Sequence, residues 1–323
     1  MHENDIVKYL DNGRLHLIIM PTEKCNFRCT YCYEDFTNGK MSLAVANGIK
    51  SLITDRSSDL HTLEVGWFGG EPLLNLKLVE EISGFSKKVM EAKNGRFISS
   101  MSTNGYLLDV KTAASLSANG VTTFQISIDG DHLVHDRSRV LASGSGSFDK
   151  IWGNLIKIRD SNIDVLISLR IHVTKENIKS MENIASQINR EFSSDPRFKI
   201  YVKPVENLGG NSIKPEQLID KFKTDDVKAM IESLFSESLI LKESRSKPSV
   251  CYASAGNSLV IRSTGEISKC TVLLSDKDNM LGRITSDGRL EIDNSLYGKW
   301  ASGLFNKDSA SCPVQHVKAL TKT

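Results

Sequence analysis

The sequence predicts an α/β protein, a partial and open TIM-like barrel of six βα units followed by a small C-terminal domain. Two observations predict it. Short apolar runs alternate with amphipathic stretches through about the first two-thirds of the 323 residues, which is the pattern of βα units around a parallel sheet. From Cys251 onwards the character changes to short strands and turns. Six units fall short of the eight that close a full barrel, so the barrel is expected to stay open. The chain then divides into a core at 1–210, a linker and helix at 211–248, and a C-terminal domain at 249–323.

The expected strands are 15–20, 63–68, 97–102, 123–128, 165–173 and 199–205, each an apolar run of strand length. Between them lie helices at 42–54, 76–93, 110–119, 148–161 and 178–190. In each, apolar residues recur three or four apart, as Ile151, Leu155 and Ile158 do. Residues 208–223 read as a loop carrying Gly209-Gly210-Asn211 and Pro215, and a helix is expected at 225–241. A basic stretch at 242–247 and Pro248 follow. Ser263-Thr264-Gly265 is the expected hairpin turn between 259–262 and 266–269.

The net charge of +2 points to neither nucleic acid nor an anionic membrane as partner. No apolar run is long enough to span a bilayer, and the N-terminus Met-His-Glu-Asn-Asp lacks the regions of a signal peptide. The expected location is cytoplasmic. In a reducing compartment the six Cys suit metal binding better than disulfides.

Cys25, Cys29 and Cys32 stand on one short loop directly after the first strand, with Tyr31 before the last of them. Three thiolates are one too few for a closed tetrahedral zinc site, and His16 and His61 lie outside the loop. A [4Fe–4S] cube held by three thiolates keeps its fourth iron open to a ligand. A zinc knuckle or three unrelated buried thiols are the plainer readings. Trp67-Phe68-Gly69-Gly70-Glu71-Pro72 ends the second strand, where two glycines permit close backbone approach and Glu71 offers a carboxylate to an ammonium. Alone it is an ordinary turn. Ser102-Thr103-Asn104-Gly105 and Ser127-Ile128-Asp129-Gly130 end the third and fourth strands and present polar groups at the same rim, where parallel β/α folds gather their chemistry.

The CxxxCxxC loop with its aromatic resembles the signature of the radical S-adenosylmethionine (SAM) enzymes, and the Gly-Gly-Glu-Pro turn one strand later resembles their motif for the methionine amino group. The resemblance implies a radical SAM partial barrel with a [4Fe–4S] cluster on Cys25, Cys29 and Cys32. It implies SAM held by Tyr31, Gly69, Gly70, Glu71, Thr103, Asn104, Ser127, Asp129 and Arg139. Ser127 and Arg139 match the pair that holds the SAM carboxylate in the peptide-modifying branch, and an Arg fork suits a carboxylate better than Lys would. His132 and His135 receive no role.

Cys251, Gly265 and Cys270 follow the spacing C-x13-G-x4-C, which resembles the opening of the SPASM auxiliary-cluster domain. The family continues with four further Cys, but here only Cys312 appears and Gln315 stands where a second would be. The shortened form, a twitch-like domain, implies a second auxiliary [4Fe–4S] cluster on Cys251, Cys270 and Cys312. The plainer reading is a buried Cys pair and a stray thiol.

The combination resembles maturases of ribosomally made peptides or of proteins such as sulfatases. It implies hydrogen abstraction by a 5′-deoxyadenosyl radical and, with both Cys sets occupied, an oxidative cross-link rather than epimerisation. The implied partners are a precursor peptide or protein substrate, an electron donor such as flavodoxin or ferredoxin, and a separate leader-binding protein. Too few residues precede Cys25 for a leader-binding domain of its own, so a leader is expected on an edge strand, on 242–247 or on that separate protein. The alternatives are formylglycine formation on a sulfatase, epimerisation, nucleotide cyclisation and, from another class, a non-catalytic zinc-binding adaptor. Cyclisation of a triphosphate calls for basic groups along the barrel, and the sequence offers no obvious cluster of them.

Overall fold

Ten strands and nine helices alternate along the residues described by the computed structural model, 9–208, 213–241, 250–305 and 309–321. The strands are β1 (Arg14–Ile19), β2 (Thr62–Trp67), β3 (Arg96–Thr103), β4 (Val121–Ile128), β5 (Leu166–Val173), β6 (Phe198–Pro204), β7 (Ser258–Ile261), β8 (Glu266–Ser268), β9 (Met280–Ile284) and β10 (Leu290–Ile292). The helices are α1 (Leu43–Arg56), α2 (Leu76–Ala92), α3 (Val110–Ala118), α4 (His132–Ser138), α5 (Phe148–Arg159), α6 (Met181–Phe192), α7 (Thr224–Glu232), α8 (Asn294–Ser302) and α9 (Val314–Thr321). The α/β class and six strands in sequence order stand as expected. Among the described residues no helix is long and apolar enough to cross a membrane.

The chain forms two compact units, and it passes from one to the other within β3. The first comprises Met1–Lys24, Phe36–Ser99 and Ser244–Thr323. In it β1 pairs in parallel with β2 on one edge and with β7 on the other, Leu17 lying opposite both Val65 and Leu259. Antiparallel β8, β9 and β10 follow β7. The alternating residues Leu17, Ile19, Leu63, Val65 and Trp67 are buried, as are Ile49 and Ile53 of α1 and Val79 and Ile82 of α2. The Trp67 indole donates to Ser83 Oγ at 3.1 Å, satisfying its one polar atom as α2 covers it. Gly265 turns the β7–β8 hairpin at φ +84°, a left-handed conformation that glycine adopts without strain.

The second unit comprises Cys25–Asp35 and Ser100–Glu243. There β4, β5 and β6 pair in parallel. Phe124, Ile126, Ile128, Ile167, Leu169, Ile171, Phe198, Ile200 and Val202 are buried on one face, against helix residues such as Leu116, Ile151, Leu155, Ile184 and Ile188. The intervening residues of β4–β6 leave the opposite face polar.

Three local expectations differ. The helix at 225–241 ends at Glu232 because the residues after it meet the open edge of β6: Ile200 N–H donates to the Leu239 carbonyl at 2.7 Å, and Leu241 N–H to the Ile200 carbonyl at 3.3 Å. Apolar Leu239 is thereby fully buried without helix. Helix α4 forms where the sequence marks no element, capped by Asp131, whose carboxylate accepts from Val134 N–H. Seven residues are too few for a periodic signal. Residues 178–180 form a 3₁₀ turn, and α6 begins after it. Gly209-Gly210-Asn211, the basic stretch 242–247 and Pro248 lie outside the described residues.

Candidate cofactor site

In the second unit the loop bearing Cys25, Cys29 and Cys32 runs against residues 138–142. Arg28 N–H donates to the Val140 carbonyl, Thr30 N–H to that of Ser138, and Ala142 N–H to that of Asn26. Phe27 and Leu141 form an antiparallel bridge. This lacing satisfies the backbone of a loop that has no helix or strand of its own, and it fixes Arg139 beside the thiols. All three are half-buried and outside any disulfide. Cys25 Sγ accepts from Phe27 N–H at 3.3 Å. Burial, then the Glu34 carboxylate and the Cys29 thiol, push Cys32 up to about 12, and burial raises Cys29 as well.

Beneath the loop lies a buried polar network. Tyr31 Oη stands 2.9 Å from Asp129 Oδ1, 2.9 Å from His172 Nδ1 and 2.7 Å from Arg139 Nη1. Arg139 donates to the phenol, and the single phenolic proton serves either the carboxylate or the imidazole. Asp129 Oδ2 accepts from Ser138 Oγ at 2.6 Å, and Asn177 Nδ2 donates to the carbonyls of Asp129 and His172. Burial alone would raise the Asp129 pKa, but the His172 hydrogen bond and the Arg139 charge outweigh it and hold the carboxyl well below the ordinary range. Burial pushes Tyr31 up and His172 down. The net result is an ionised Asp129–Arg139 pair around a neutral phenol. The Arg139 guanidinium also lies 5.7 Å over the Phe27 ring, and its buried Nε has no hydrogen-bond partner among the described residues. A cavity of about 340 Å³ opens on this network, lined by Thr30, Tyr31, Asp129, Ser138, Thr174 and Asn177 among others.

Asn104 joins the thiols: its Nδ2 is 2.8 Å from Asn26 Oδ1 and 4.0 Å from Cys25 Sγ. Thr103 Oγ1 instead accepts from Gly105 N–H within its own turn. Ser127 stands half-buried on the polar face of β4, opposite Arg170 of β5.

In the first unit, Gly69, Gly70 and Glu71 follow β2. A Cβ on Gly70 would lie 2.6 Å from the Lys24 carbonyl oxygen, so glycine here lets the turn approach the strand-to-loop segment that leads to Cys25. Glu71 is fully buried; its N–H donates to the Lys24 carbonyl and its Oε1 accepts from Leu73 N–H at 3.0 Å. Cys251, Cys270 and Cys312 also belong to this unit, and Cys270 and Cys312 both raise the pKa of Cys251, with burial the leading cause. Asn279 fixes the site by accepting from the N–H groups of Lys269 and Cys270. The Cys270 sulfur accepts from Val272 N–H at 3.4 Å.

These donors fit the groups that the motif implies. Three thiols on one eight-residue loop are the donor set that a cube with one open corner takes. Arg139 carries an unspent donor on Nε for an anion.

Sequence reasoning overlooked His172, Ser138, Asn177 and Arg170. The readable signal was the run Leu-Ile-Ser-Leu-Arg-Ile-His-Val in β5, where polar residues at every second position are costly unless their face has work to do.

Comparison with known proteins places the chain. It is 24% identical over 288 residues to an uncharacterized protein of Methanocaldococcus jannaschii, covering 87% of this chain and 92% of that one. It is 32% identical over 151 residues to a cysteine-type anaerobic sulfatase-maturating enzyme of Clostridium novyi, covering 44% of this chain but only 39% of the relative's length. The structure of native anSMEcpe with bound AdoMet and Cp18Cys peptide superposes with a TM-score of 0.66 at 19% identity, covering 91% of this chain and 84% of that one, and so shares the fold. The radical SAM superfamily pattern matches residues 19–188, more than half of the chain and the stretch that carries the cysteine loop, the glycine turn, Asp129 and Arg139, and the protein belongs to the radical SAM superfamily.

Proposed function

We propose that the protein is a radical SAM maturase that oxidatively cross-links a ribosomally made peptide. Superfamily membership brings a [4Fe–4S] cluster and SAM as cofactors. Cys25, Cys29 and Cys32 would hold the cluster, and Tyr31, Gly69, Gly70, Glu71, Thr103, Asn104, Ser127, Asp129 and Arg139 would hold SAM. When bound, the two together supply hydrogen-atom abstraction from carbon. The chain supplies aim. Arg139, pinned by Tyr31 and by the backbone lacing of 138–142, presents a guanidinium to a carboxylate. Burial in the network holds the phenol neutral.

The observation that carries the reading is this loop of three thiols laced to the segment bearing Arg139. Cys251, Cys270 and Cys312 would hold an auxiliary cluster, and a second redox group is what an oxidation calls for. A peptide substrate is supported by the shared fold of the peptide-bound anSMEcpe structure. The chemistry needs an external one-electron donor and a reducing, cytoplasmic setting.

Anaerobically reconstituted protein with dithionite and SAM is expected to release 5′-deoxyadenosine, measured by chromatography, and a Cys29→Ala variant to release none. Failure of the wild-type protein to do so would sink the reading. Formylglycine formation is the second reading, favoured by the likeness to the sulfatase-maturating enzyme. Mass spectrometry with a carbonyl-reactive probe separates the two: a cross-linked peptide loses two hydrogens and does not take the probe, whereas formylglycine, which when made from Ser loses the same two hydrogens, is an aldehyde that the probe labels.

A further inference from the structure

The polar face of β4–β6 carries a cation with nothing to hold. In β5, Ile167, Leu169 and Ile171 are fully buried on the helix-covered face, so Ser168, Arg170 and His172 point the other way. Arg170 lies in register between Ser127 of β4 and Tyr201 of β6. Its Nε is buried, and among the described residues it has no hydrogen-bond partner. Buried polar groups are almost always satisfied, and an anion is one partner that would satisfy this guanidinium donor.

The neighbouring basic groups are already engaged. Lys199 Nζ donates to the Ser238 carbonyl at 2.7 Å, and Lys203 pairs with Glu206 at 2.6 Å. Arg139 donates to Tyr31 and has its open Nε assigned to SAM, and His172 is held by Tyr31 and Asp129. The neighbouring basic groups are thus spent within the protein or, for Arg139, assigned to SAM. A triphosphate would draw on several open cations, whereas one open planar fork matches one two-oxygen group.

We propose that Arg170 is a substrate-binding residue that takes a carboxylate of the peptide, through Nε and a terminal nitrogen side by side. This rests on the reading that the substrate is a peptide presented to this face. The carboxylate belongs either to an acidic side chain or to a C-terminus.

The test titrates reconstituted holoprotein, by ligand-observed NMR, with N-acetylglutamate α-amide as the side-chain probe and N-acetylglycine as the terminal probe. N-acetylglutamine α-amide is the neutral control, and inorganic tripolyphosphate the competing anion. One carboxylate probe is expected to bind about tenfold more tightly than the neutral amide. The better of the two names the source. R170Q abolishes that preference, while SAM affinity by equilibrium dialysis stays within about twofold of wild type. R170K keeps charge without the fork and retains only part of the preference; it also serves should R170Q not fold. No preference for carboxylate, a preference intact in both variants, an equal loss of SAM binding, or tripolyphosphate displacing the probes through Arg170 would each overturn the proposal. 5′-Deoxyadenosine release from the same preparations keeps the two failures apart. Its absence in wild type counts against the radical SAM maturase reading, and its presence without carboxylate preference counts against Arg170 alone.

Discussion

Two single residues illustrate how little of this site is decoration. His135 is fully buried on α4, where its Nδ1 faces Asp129 N–H at 3.4 Å and its Nε2 has no hydrogen-bond partner among the described residues. Burial pulls its pKa from 6.5 down to about 4, with Arg139 and His132 acting in the same direction and the carboxylates of Asp129 and Asp136 opposing. The unfolded chain therefore takes up a proton near pH 6.5 that the folded chain refuses until about pH 4, and stability falls as pH falls through that window. The loss amounts to something on the order of 3 kcal/mol by pH 4. Urea unfolding at pH 7 and pH 5 should show the decline in wild type and a flatter profile in His135→Gln. Gly70 is a different kind of constraint. Alanine would place a Cβ 2.6 Å from the Lys24 carbonyl oxygen and 2.9 Å from that of Glu23, both rigid backbone. Gly70→Ala should cost about 1–3 kcal/mol in urea unfolding, and iron loading should fall with it because the displaced segment leads straight into Cys25.

At the scale of elements, β1–β6 were legible to within two residues or so, because apolar runs of strand length bounded by turn residues leave little else to build. The three-thiol loop was equally plain, its chemistry compressed into eight residues. What the sequence hid was long-range. The Tyr31–His172 contact joins residues 141 apart, and nothing local in either announces the other. Helix α4 was too short to show a period, and Leu239 found β6 only because that strand's edge was open. The buried ion pair that ties β1's following segment to the β7–β8 hairpin was hidden for the same reason. Arg262 Nη2 lies 2.6 Å from Glu23 Oε2, and Ser263 and Asn38 also donate to that carboxylate. Removing one partner of such a pair leaves a buried charge uncompensated, whereas removing both leaves only a repacking problem. Arg262→Met should destabilise by about 3–5 kcal/mol, and Glu23→Leu with Arg262→Met should recover much of it. A double-mutant cycle in urea measures the difference. If the double variant is no better than the single, the pair is not the tie inferred here.

At the scale of the whole molecule, the six cysteines fall into two sets that the two compact units keep separately: Cys25, Cys29 and Cys32 in one, Cys251, Cys270 and Cys312 in the other. Each set brings three thiols and no fourth, so each suits a cube with one corner left for a different ligand. The consequence is a count. Protein reconstituted without oxygen should carry about eight iron and eight sulfide per chain, and the Cys251, Cys270 and Cys312 triple alanine variant about four of each. The residual cluster in that variant should still bind SAM, seen as a change in its reduced EPR signal on adding the cofactor. The reciprocal Cys25, Cys29 and Cys32 variant should keep about four iron whose signal ignores SAM. The assignment of roles to the two sets follows from that asymmetry rather than from the total, because two equivalent clusters would give the same iron content and the same response. A wild-type content of about four iron, unchanged by removing the C-terminal set, would reduce Cys251, Cys270 and Cys312 to thiols without a cluster. It would also take away the second redox group on which an oxidative cross-link depends.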